Sequence, residues 1–163
     1  MVAQNVVFGI LAVVMVAAAF RLVTTQNVVR AALFLAIVLA GAAGLYILLA
    51  AEFVAWVQVL VYIGAVVVLL LFGVMLTRAP IGREADLDNE QRLLGALVAL
   101  FLLGALGAVL IDGFGDDKVG EFSIRRTAEV SDSLFGTYVV PFEVVSILLL
   151  AALVGAVALA RRD

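Results

Sequence analysis

The chain has 163 residues, of which 66% are hydrophobic and 14% are charged, with a formal net charge of −3. Soluble domains are about 45–50% apolar and about 25% charged, so this composition excludes an ordinary soluble domain and indicates an integral membrane protein. Cysteine and histidine are both absent, which excludes disulfide bonds, thiolate metal sites and the usual axial ligand of haem.

Charged residues divide the chain into apolar segments that are long enough to cross a bilayer, which takes about 20 residues of helix. We therefore predict an all-α integral membrane fold with five transmembrane helices in a single domain, 1–163. Helix is favoured over a closed barrel because runs such as Val66–Leu71 do not alternate polar and apolar residues. The predicted spans cover about residues 2–22, 29–51, 53–77, 93–111 and 138–160.

The first span shares one feature with a secretory signal peptide, since Ala17-Ala18-Ala19 is similar to a cleavage site. No Lys or Arg precedes the apolar run, whereas a signal peptide normally begins with basic residues. We therefore expect an uncleaved transmembrane helix.

A very short link joins the second and third spans, and it places Glu52 near the membrane surface. Two interpretations of this residue remain open. Glu52 is either a solvated turn residue or part of a path by which protons or ions reach the membrane interior.

The third span carries two polar side chains, Gln58 and Tyr62, which are four residues apart and hence share one face of a helix. Each needs a hydrogen-bond partner in hydrocarbon. Gly64 and the β-branched run Val66–Val68 follow, and both features weaken an α-helix. We expect this stretch either to form a break or π-bulge, a feature that concentrates at functional sites, or to pack closely against other helices.

Two longer loops separate the later spans. Ala79–Gln91 is polar and carries both signs of charge, and Asp112–Asp132 begins with several glycines, so we expect the second loop to be irregular. Neither contains a phosphate-binding or metal-binding pattern. Small residues three or four apart predict faces for helix association: Ala40 with Gly44, Gly104 with Gly107, and Ala151 with Gly155.

Glu143 is a charged residue within the body of the fifth span. It follows Pro141, and because proline suits the first turn of a helix, Glu143 is expected near the positive end of the helix dipole. A charge inside a span is a functional hypothesis by default. Glu143 is either an interfacial charge stabilised by the helix terminus or a proton-exchanging carboxylate that faces other subunits.

The distribution of basic residues predicts the topology. If the spans alternate, seven arginines fall on one side and three basic residues fall on the other. This favours an amino terminus outside and a cytoplasmic carboxyl terminus. The larger group comprises Arg21, Arg30, Arg78, Arg83, Arg92, Arg161 and Arg162, and the smaller one Lys118, Arg125 and Arg126.

Three stretches of the chain resemble a known family. The segment Gln58–Leu76, with its core V-Y-x-G-A-x-x-V-L-x-L-F, resembles the third helix of subunit J of bacterial respiratory complex I, the counterpart of chain 6 of the mitochondrial enzyme. Asn27–Leu33 resembles the family's N-P-V-R-A-A-L start of the second helix, with Val28 where proline is usual. Leu134–Tyr138 and Phe142–Leu150 resemble the final loop and fifth helix.

The resemblance implies a multi-pass membrane-arm subunit of a proton-pumping NADH:quinone oxidoreductase in the bacterial inner (cell) membrane. No cofactor is then expected on this chain, while NADH, FMN, iron–sulfur clusters and quinone are expected on partner subunits. The expected partners are the quinone-site and antiporter-like subunits of complex I and the lipid bilayer, with no nucleic acid.

In this family the third helix switches between a π-bulged form and a regular α-helix, which makes or breaks a water path. Carried over, the helix hinge and water gate comprise Tyr62, Gly64, Ala65, Val67 and Val68. The candidates for a proton path are Glu143, Glu52 and Gln58, and the amide of Gln58 is assigned no titration. No residue of this chain is predicted to be catalytic or to bind a metal.

Other functions remain open at this point. A membrane subunit of a related cation/proton antiporter, a hydrogenase or a dehydrogenase with another electron donor would have similar helices. An independent small transporter is less favoured, because such proteins place polar groups near the bilayer midplane, where this chain offers chiefly Gln58 and Tyr62. A passive assembly role is a further possibility for the fourth span.

Overall fold

The computed structural model describes residues 2–77, 91–115 and 126–161, and these ranges form helices joined by short turns. Five of the helical spans are long and apolar enough to cross a membrane, which confirms the predicted all-α fold with five candidate transmembrane helices. The elements are α1 (Val2–Thr24), α2 (Val28–Leu48), α3 (Glu52–Val57), a π-segment (Gln58–Val67), α4 (Val68–Leu76), α5 (Arg92–Phe114), α6 (Thr127–Phe135) and α7 (Val139–Ala160). The third span is continuous through α3, the π-segment and α4.

The first three spans form the packed part of the molecule. α1 packs against α2, and α2 packs against α3, the π-segment and α4. Among the described residues α5 contacts no other element, and α7 contacts α6 alone. No described residue of α5 or α7 is buried, so the apolar surfaces of these two helices are left to lipid or to other chains.

Glycines allow α1 and α2 to approach closely. A Cβ atom added at buried Gly41 would lie 2.7 Å from Sδ of Met15 and still closer to its Cγ, and one at Gly44 would lie 3.1 Å from Cδ1 of Leu11. The predicted association face of α2 therefore exists, but Gly41 rather than exposed Ala40 accompanies Gly44 on it. Among the other predicted pairs, Gly104, Gly107 and Gly155 have open space around them in the described structure.

The second span ends at Leu48, before the predicted limit of 51, because a Schellman motif terminates it. The Ala51 amide donates to the Tyr46 carbonyl at 2.9 Å, and the Ala50 amide donates to the Ile47 carbonyl at 3.0 Å. Ala50 has φ 56°, a left-handed conformation that usually calls for glycine. The alanine explains why the sequence carries no signal for this helix end.

The other helix bounds also refine the predictions. Asn27 caps α2, since its side-chain Oδ1 accepts a hydrogen bond from the Arg30 amide at 3.0 Å. α5 continues through Asp112 to Phe114, beyond the predicted limit of 111. The prediction of an irregular Asp112–Asp132 loop is wrong at both described ends, because Asp112–Phe114 and Thr127–Asp132 are helical.

Some sequence predictions fall outside the described residues. They are the Ala79–Gln91 loop, of which Gln91 alone is described, the middle of the Asp112–Asp132 loop, and half of the basic residues used for the topology. The orientation of the termini stays a prediction. The basic residues outside the described ranges are Arg78, Arg83, Lys118, Arg125 and Arg162.

The left-handed Ala50 gives a test of the turn. We expect Ala50→Gly to stabilise the full chain by roughly 0.5–1 kcal/mol, because glycine removes the steric cost of the left-handed conformation at a smaller cost in backbone entropy. Thermal unfolding in detergent micelles measures the change. Ala51→Gly is the matched control, since Ala51 has φ −95° and gains nothing from glycine. Equal shifts in both variants would show that the left-handed strain at Ala50 is not relieved.

Candidate functional site

The third span departs from α-helical geometry over the ten residues Gln58–Val67, which form a π-helix. In a π-helix each amide donates to the carbonyl five residues back instead of four. Of the two alternatives for this stretch the structure shows the break, and it is longer than a single bulge. The alternative, close helix packing at Gly64, is not observed within the described chain, because a Cβ added there meets only the Val59 carbonyl oxygen of the same helix, at 3.5 Å.

Burial along the π-segment follows its unusual winding. Its residues are exposed except for three, Gln58, Ile63 and Val67, which are five and four residues apart. Gln58 is 8% exposed and Val67 is 3% exposed. Nine residues make about two and a half turns of an α-helix, so in α geometry Gln58 and Val67 would lie on opposite sides. The π winding puts them on one buried face.

The flanking helices continue this buried face with ordinary α spacing. The least exposed positions are four or three residues apart on both sides of the π-segment. Outside its own continuation in α3 and α4, the π-segment contacts α2, so the buried face is the one that packs on α2. We name this face the α2-facing seam; it comprises Ala51, Ala55, Gln58, Ile63, Val67, Leu71 and Val74.

The seam shows how far a change of winding would turn the helix. Ala55 and Leu71 are 16 positions apart, and four steps of the seam, one helical turn each, lead from one to the other. At 3.6 residues per turn they would make about 4.4 turns, so a fully α-helical third span would rotate α4 by roughly 160° relative to α3. Conversion of the π-segment to an α-helix would therefore turn the opposite face of α4 toward α2.

The alternative face is defined by the same spacing. With α3 held in place, α-helical continuation from Gln58 brings Tyr62, Ala65 and Leu69 toward α2 in place of Ile63, Val67 and Leu71. In the structure Tyr62 is 48% exposed and Leu69 is 68% exposed.

The predicted hinge residues divide between the two faces. Tyr62, Gly64 and Ala65 are exposed within the π-segment, whereas Val67 is buried in the seam. Val68 is the first residue of α4 and is 56% exposed.

Gln58 is the buried polar side chain of the described ranges. No described residue forms a hydrogen bond with its side-chain amide, and both the oxygen and the nitrogen of that group keep some solvent exposure. Tyr62, which was predicted to share its face, has different surroundings because it is half exposed. A buried side-chain amide in hydrocarbon needs a hydrogen-bond partner, and the described residues supply none to that of Gln58.

The two predicted carboxylates lie at the starts of two spans. Glu52 is the first residue of α3 and is exposed. Glu143 is the fifth residue of α7 and is also exposed, and Pro141 occupies the first turn of that helix as predicted.

Helix α6 connects these two ends of the molecule, and sequence reasoning missed it. α6 contacts both α3 and α7, and the rings of Phe135 and Phe142 meet edge to face at 5.1 Å. The signal for α6 is the pair Val130 and Leu134, four residues apart, which are its partly shielded positions. The structure thus places Glu52 and Glu143 on elements that α6 bridges. The described ranges contain no group of three or more acidic side chains arranged to hold a metal ion.

Comparisons with known proteins agree on one family. The model of the family NADH-ubiquinone/plastoquinone oxidoreductase chain 6 matches residues 18–159. The chain is 44% identical to F(420)H(2) dehydrogenase subunit J of Methanosarcina mazei, covering 98% of this chain and 92% of that protein. It is 39% identical to NAD(P)H-quinone oxidoreductase chain 6 of Synechocystis, covering 98% and 82% of the two chains. The chloroplastic NAD(P)H-quinone oxidoreductase subunit 6 of Mesostigma viride is 32% identical, with 98% and 85% covered.

Proposed function

Because the chain belongs to the NADH-ubiquinone/plastoquinone oxidoreductase chain 6 family, we propose that it is a membrane-arm subunit of a proton-pumping NADH:quinone oxidoreductase. Its share of the work is to couple quinone reduction to proton translocation through a third span that switches its winding. The π-segment and its α2-facing seam are the observation that carries this proposal.

The redox chemistry belongs to the partner subunits in this proposal. NADH, FMN, iron–sulfur clusters and quinone are bound there, and this chain supplies no catalytic group. The quinone-site and antiporter-like subunits cover the apolar surfaces that α5 and α7 leave open. The chain lies in a bacterial inner membrane with its amino terminus outside and its carboxyl terminus in the cytoplasm, as the excess of arginine on one side favours.

The switch exchanges two faces of the third span. In the π form Val67 packs against α2, and Tyr62 is half exposed. In the α form Tyr62 and Leu69 turn toward α2, so Val67 and Val68 swing into or out of the space beside the helix. Bulky apolar side chains that enter this space interrupt a chain of water molecules, and their departure allows the chain to form.

The local sequence keeps the two windings close in free energy. Gly64 contributes no side-chain contacts to the π form, and the β-branched residues Val66–Val68 restrict the α form. A two-state element responds to a partner only if the states differ by a few kcal/mol, and only by the difference in the partner's affinity for them. Movement of the subunit that contacts the third span supplies this difference.

The proton path begins at the end of the molecule that α6 bridges. Glu52 and Glu143 are exposed carboxylates at the starts of their helices. Gln58 lies six residues deeper than Glu52, about 9 Å along the helix axis. Its amide orders water by hydrogen bonding and is not itself ionised. In this scheme the carboxylates exchange protons, and Gln58 holds the water next to the gate.

A second candidate has the same mechanism and a different electron donor. The 44% identity to a subunit of an F(420)H(2) dehydrogenase favours this alternative, since the two chains match over nearly their whole lengths. A related antiporter or hydrogenase complex would use the membrane helices in the same way. The electron donor is chosen by other subunits.

Purification of the intact assembly distinguishes these candidates. We expect an affinity-tagged chain, extracted from native membranes in mild detergent, to copurify with a complex that oxidises NADH and reduces quinone. Oxidation of F(420)H(2) without oxidation of NADH would select the second candidate. Isolation of the chain with no other subunit would contradict both.

Substitution of the π-segment glycine tests the switch. We expect Gly64→Leu to lower the ratio of protons pumped to electrons transferred at least several-fold, because leucine favours a regular helix by about 0.8 kcal/mol over glycine and adds bulk at the hinge. Electron transfer from NADH to ferricyanide should stay unchanged, since it does not involve this helix.

Gly73→Leu is the matched control for this experiment. Gly73 lies on the same span but in α4, and apart from the adjacent backbone of its own helix no described atom lies within 4 Å of a Cβ placed there. Normal coupling in Gly64→Leu, or equal loss in both variants, would remove the hinge from the mechanism.

Replacement of the fifth-span carboxylate tests the proton path. We expect Glu143→Gln to slow quinone-linked turnover at least tenfold, in the range typical of a lost proton-transfer group, and Glu143→Asp to retain most of the rate. Proton uptake by the complex reconstituted in vesicles is the measurement. Asp132→Asn on α6 is the control, because Asp132 is an exposed acid with no role in the proposed path. Wild-type pumping by Glu143→Gln would leave Glu143 as an interfacial charge.

A further inference from the structure

An open polar cavity lies where α1 ends and α2 begins, at the opposite end of the second span from Glu52. Its volume is about 630 Å³, and its walls include Arg21, Thr25, Arg30 and Phe34. The two arginines bound the charge-free segments of the first and second spans. The cavity therefore lies at the bilayer surface, with its polar groups toward the headgroups and Phe34 one turn deeper than Arg30.

The cavity has positive charge and no compensating acid. The first 51 residues contain no Asp or Glu, so neither helix that forms the cavity supplies a carboxylate. No residue in the described part of the chain pairs with the guanidinium of Arg21 or Arg30. The two charges come from different helices and line one cavity, where they repel each other across the turn between α1 and α2.

The internal hydrogen bonds of the turn between α1 and α2 do not use the guanidinium groups that line the cavity. The Arg30 amide is already bonded to Oδ1 of Asn27 at 3.0 Å, so the start of α2 is capped. The Thr24 hydroxyl donates to the Phe20 carbonyl at 2.8 Å. Oγ1 of Thr25 accepts from the Asn27 amide at 3.4 Å, and its own proton remains free to donate. The two guanidinium groups are the charged donors of this cavity, and the Thr25 hydroxyl and the side-chain NH2 of Asn27 are neutral donors beside them.

We propose that this cavity binds the phosphodiester headgroup of an anionic membrane lipid. The planar fork of a guanidinium matches phosphate oxygens, and two forks from two helices fit one phosphodiester group. Basic pockets between transmembrane helices at the membrane surface suit such headgroups. Phe34 gives the first carbons of an acyl chain an apolar contact, which a free phosphate ion would not use. The site is independent of the proposed switch in the third span.

Lipid binding to the intact purified complex tests the proposal. The probe is fluorescent phosphatidylglycerol, titrated into nanodiscs of phosphatidylcholine that hold the complex. We expect Arg21→Gln/Arg30→Gln to weaken binding about 25-fold, from about fivefold for each arginine. Arg161→Gln is the matched control, because Arg161 directly follows α7 and does not line this cavity, and we expect the affinity of this variant to stay within about twofold of wild type.

A charge-preserving variant keeps the test valid if the glutamine variant does not assemble. Arg21→Lys/Arg30→Lys retains both charges but loses the forked geometry, so we expect an assembled complex with several-fold weaker lipid binding. Unchanged binding in either double variant overturns the proposal. So does displacement of the lipid by millimolar inorganic phosphate, which identifies a free anion as the ligand. Loss of a partner subunit with lipid binding intact would instead assign the arginines to a carboxylate of that partner.

Discussion

The packing of the third span on α2 sets the conformation of the whole site, because it holds Gln58 and Val67 on one face although they lie nine positions apart. An α-helix would place these two residues on opposite sides. The π winding is therefore the geometry that lets both halves of the span bury small or apolar positions against the same neighbour. Any force that changes the winding must therefore replace the seam residues that follow Gln58 by a different set of residues facing α2.

The weak internal packing of the chain determines where such a force comes from. α5 and α7 bury no described residue, and the packed part of the molecule consists of α1, α2 and the third span. The close contact of Gly41 with Met15 joins α1 to α2 and gives the third span a firm surface on one side. The other side of the third span, including half-exposed Tyr62, is free to contact partner subunits. Partners can thus act on the winding without disrupting the α1–α2 pair.

Much of the architecture followed from charge and local chemistry. Charge-free runs located the five spans, and Gly64 beside Val66–Val68 located the break, because both signals are local. The seam could not be predicted, since the choice of Gln58, Ile63 and Val67 as its members depends on contact with α2.

The sequence predictions failed at two places: a helix end formed by an unusual residue type, and a short helix with weak apolar periodicity. Ala50 terminates α2 in the left-handed conformation, a position at which glycine is the usual residue and would have marked the helix end in the sequence. The short α6 carries few apolar positions, so its periodicity is faint within a polar loop. The functions proposed for Glu52, Gln58 and Glu143 involve groups of other subunits, so the residue types of this chain alone do not determine them.

The most direct measurement is the backbone hydrogen bonding of Gln58–Val67 in the intact enzyme, resolved both at rest and during turnover. We expect one state to have hydrogen bonds across five residues with Val67 against α2. In the other state we expect bonds across four residues, with Ala65 in the place of Val67 and a changed row of water molecules beside the helix. The same winding in every state, with no change in the adjacent water, would contradict the proposed gate.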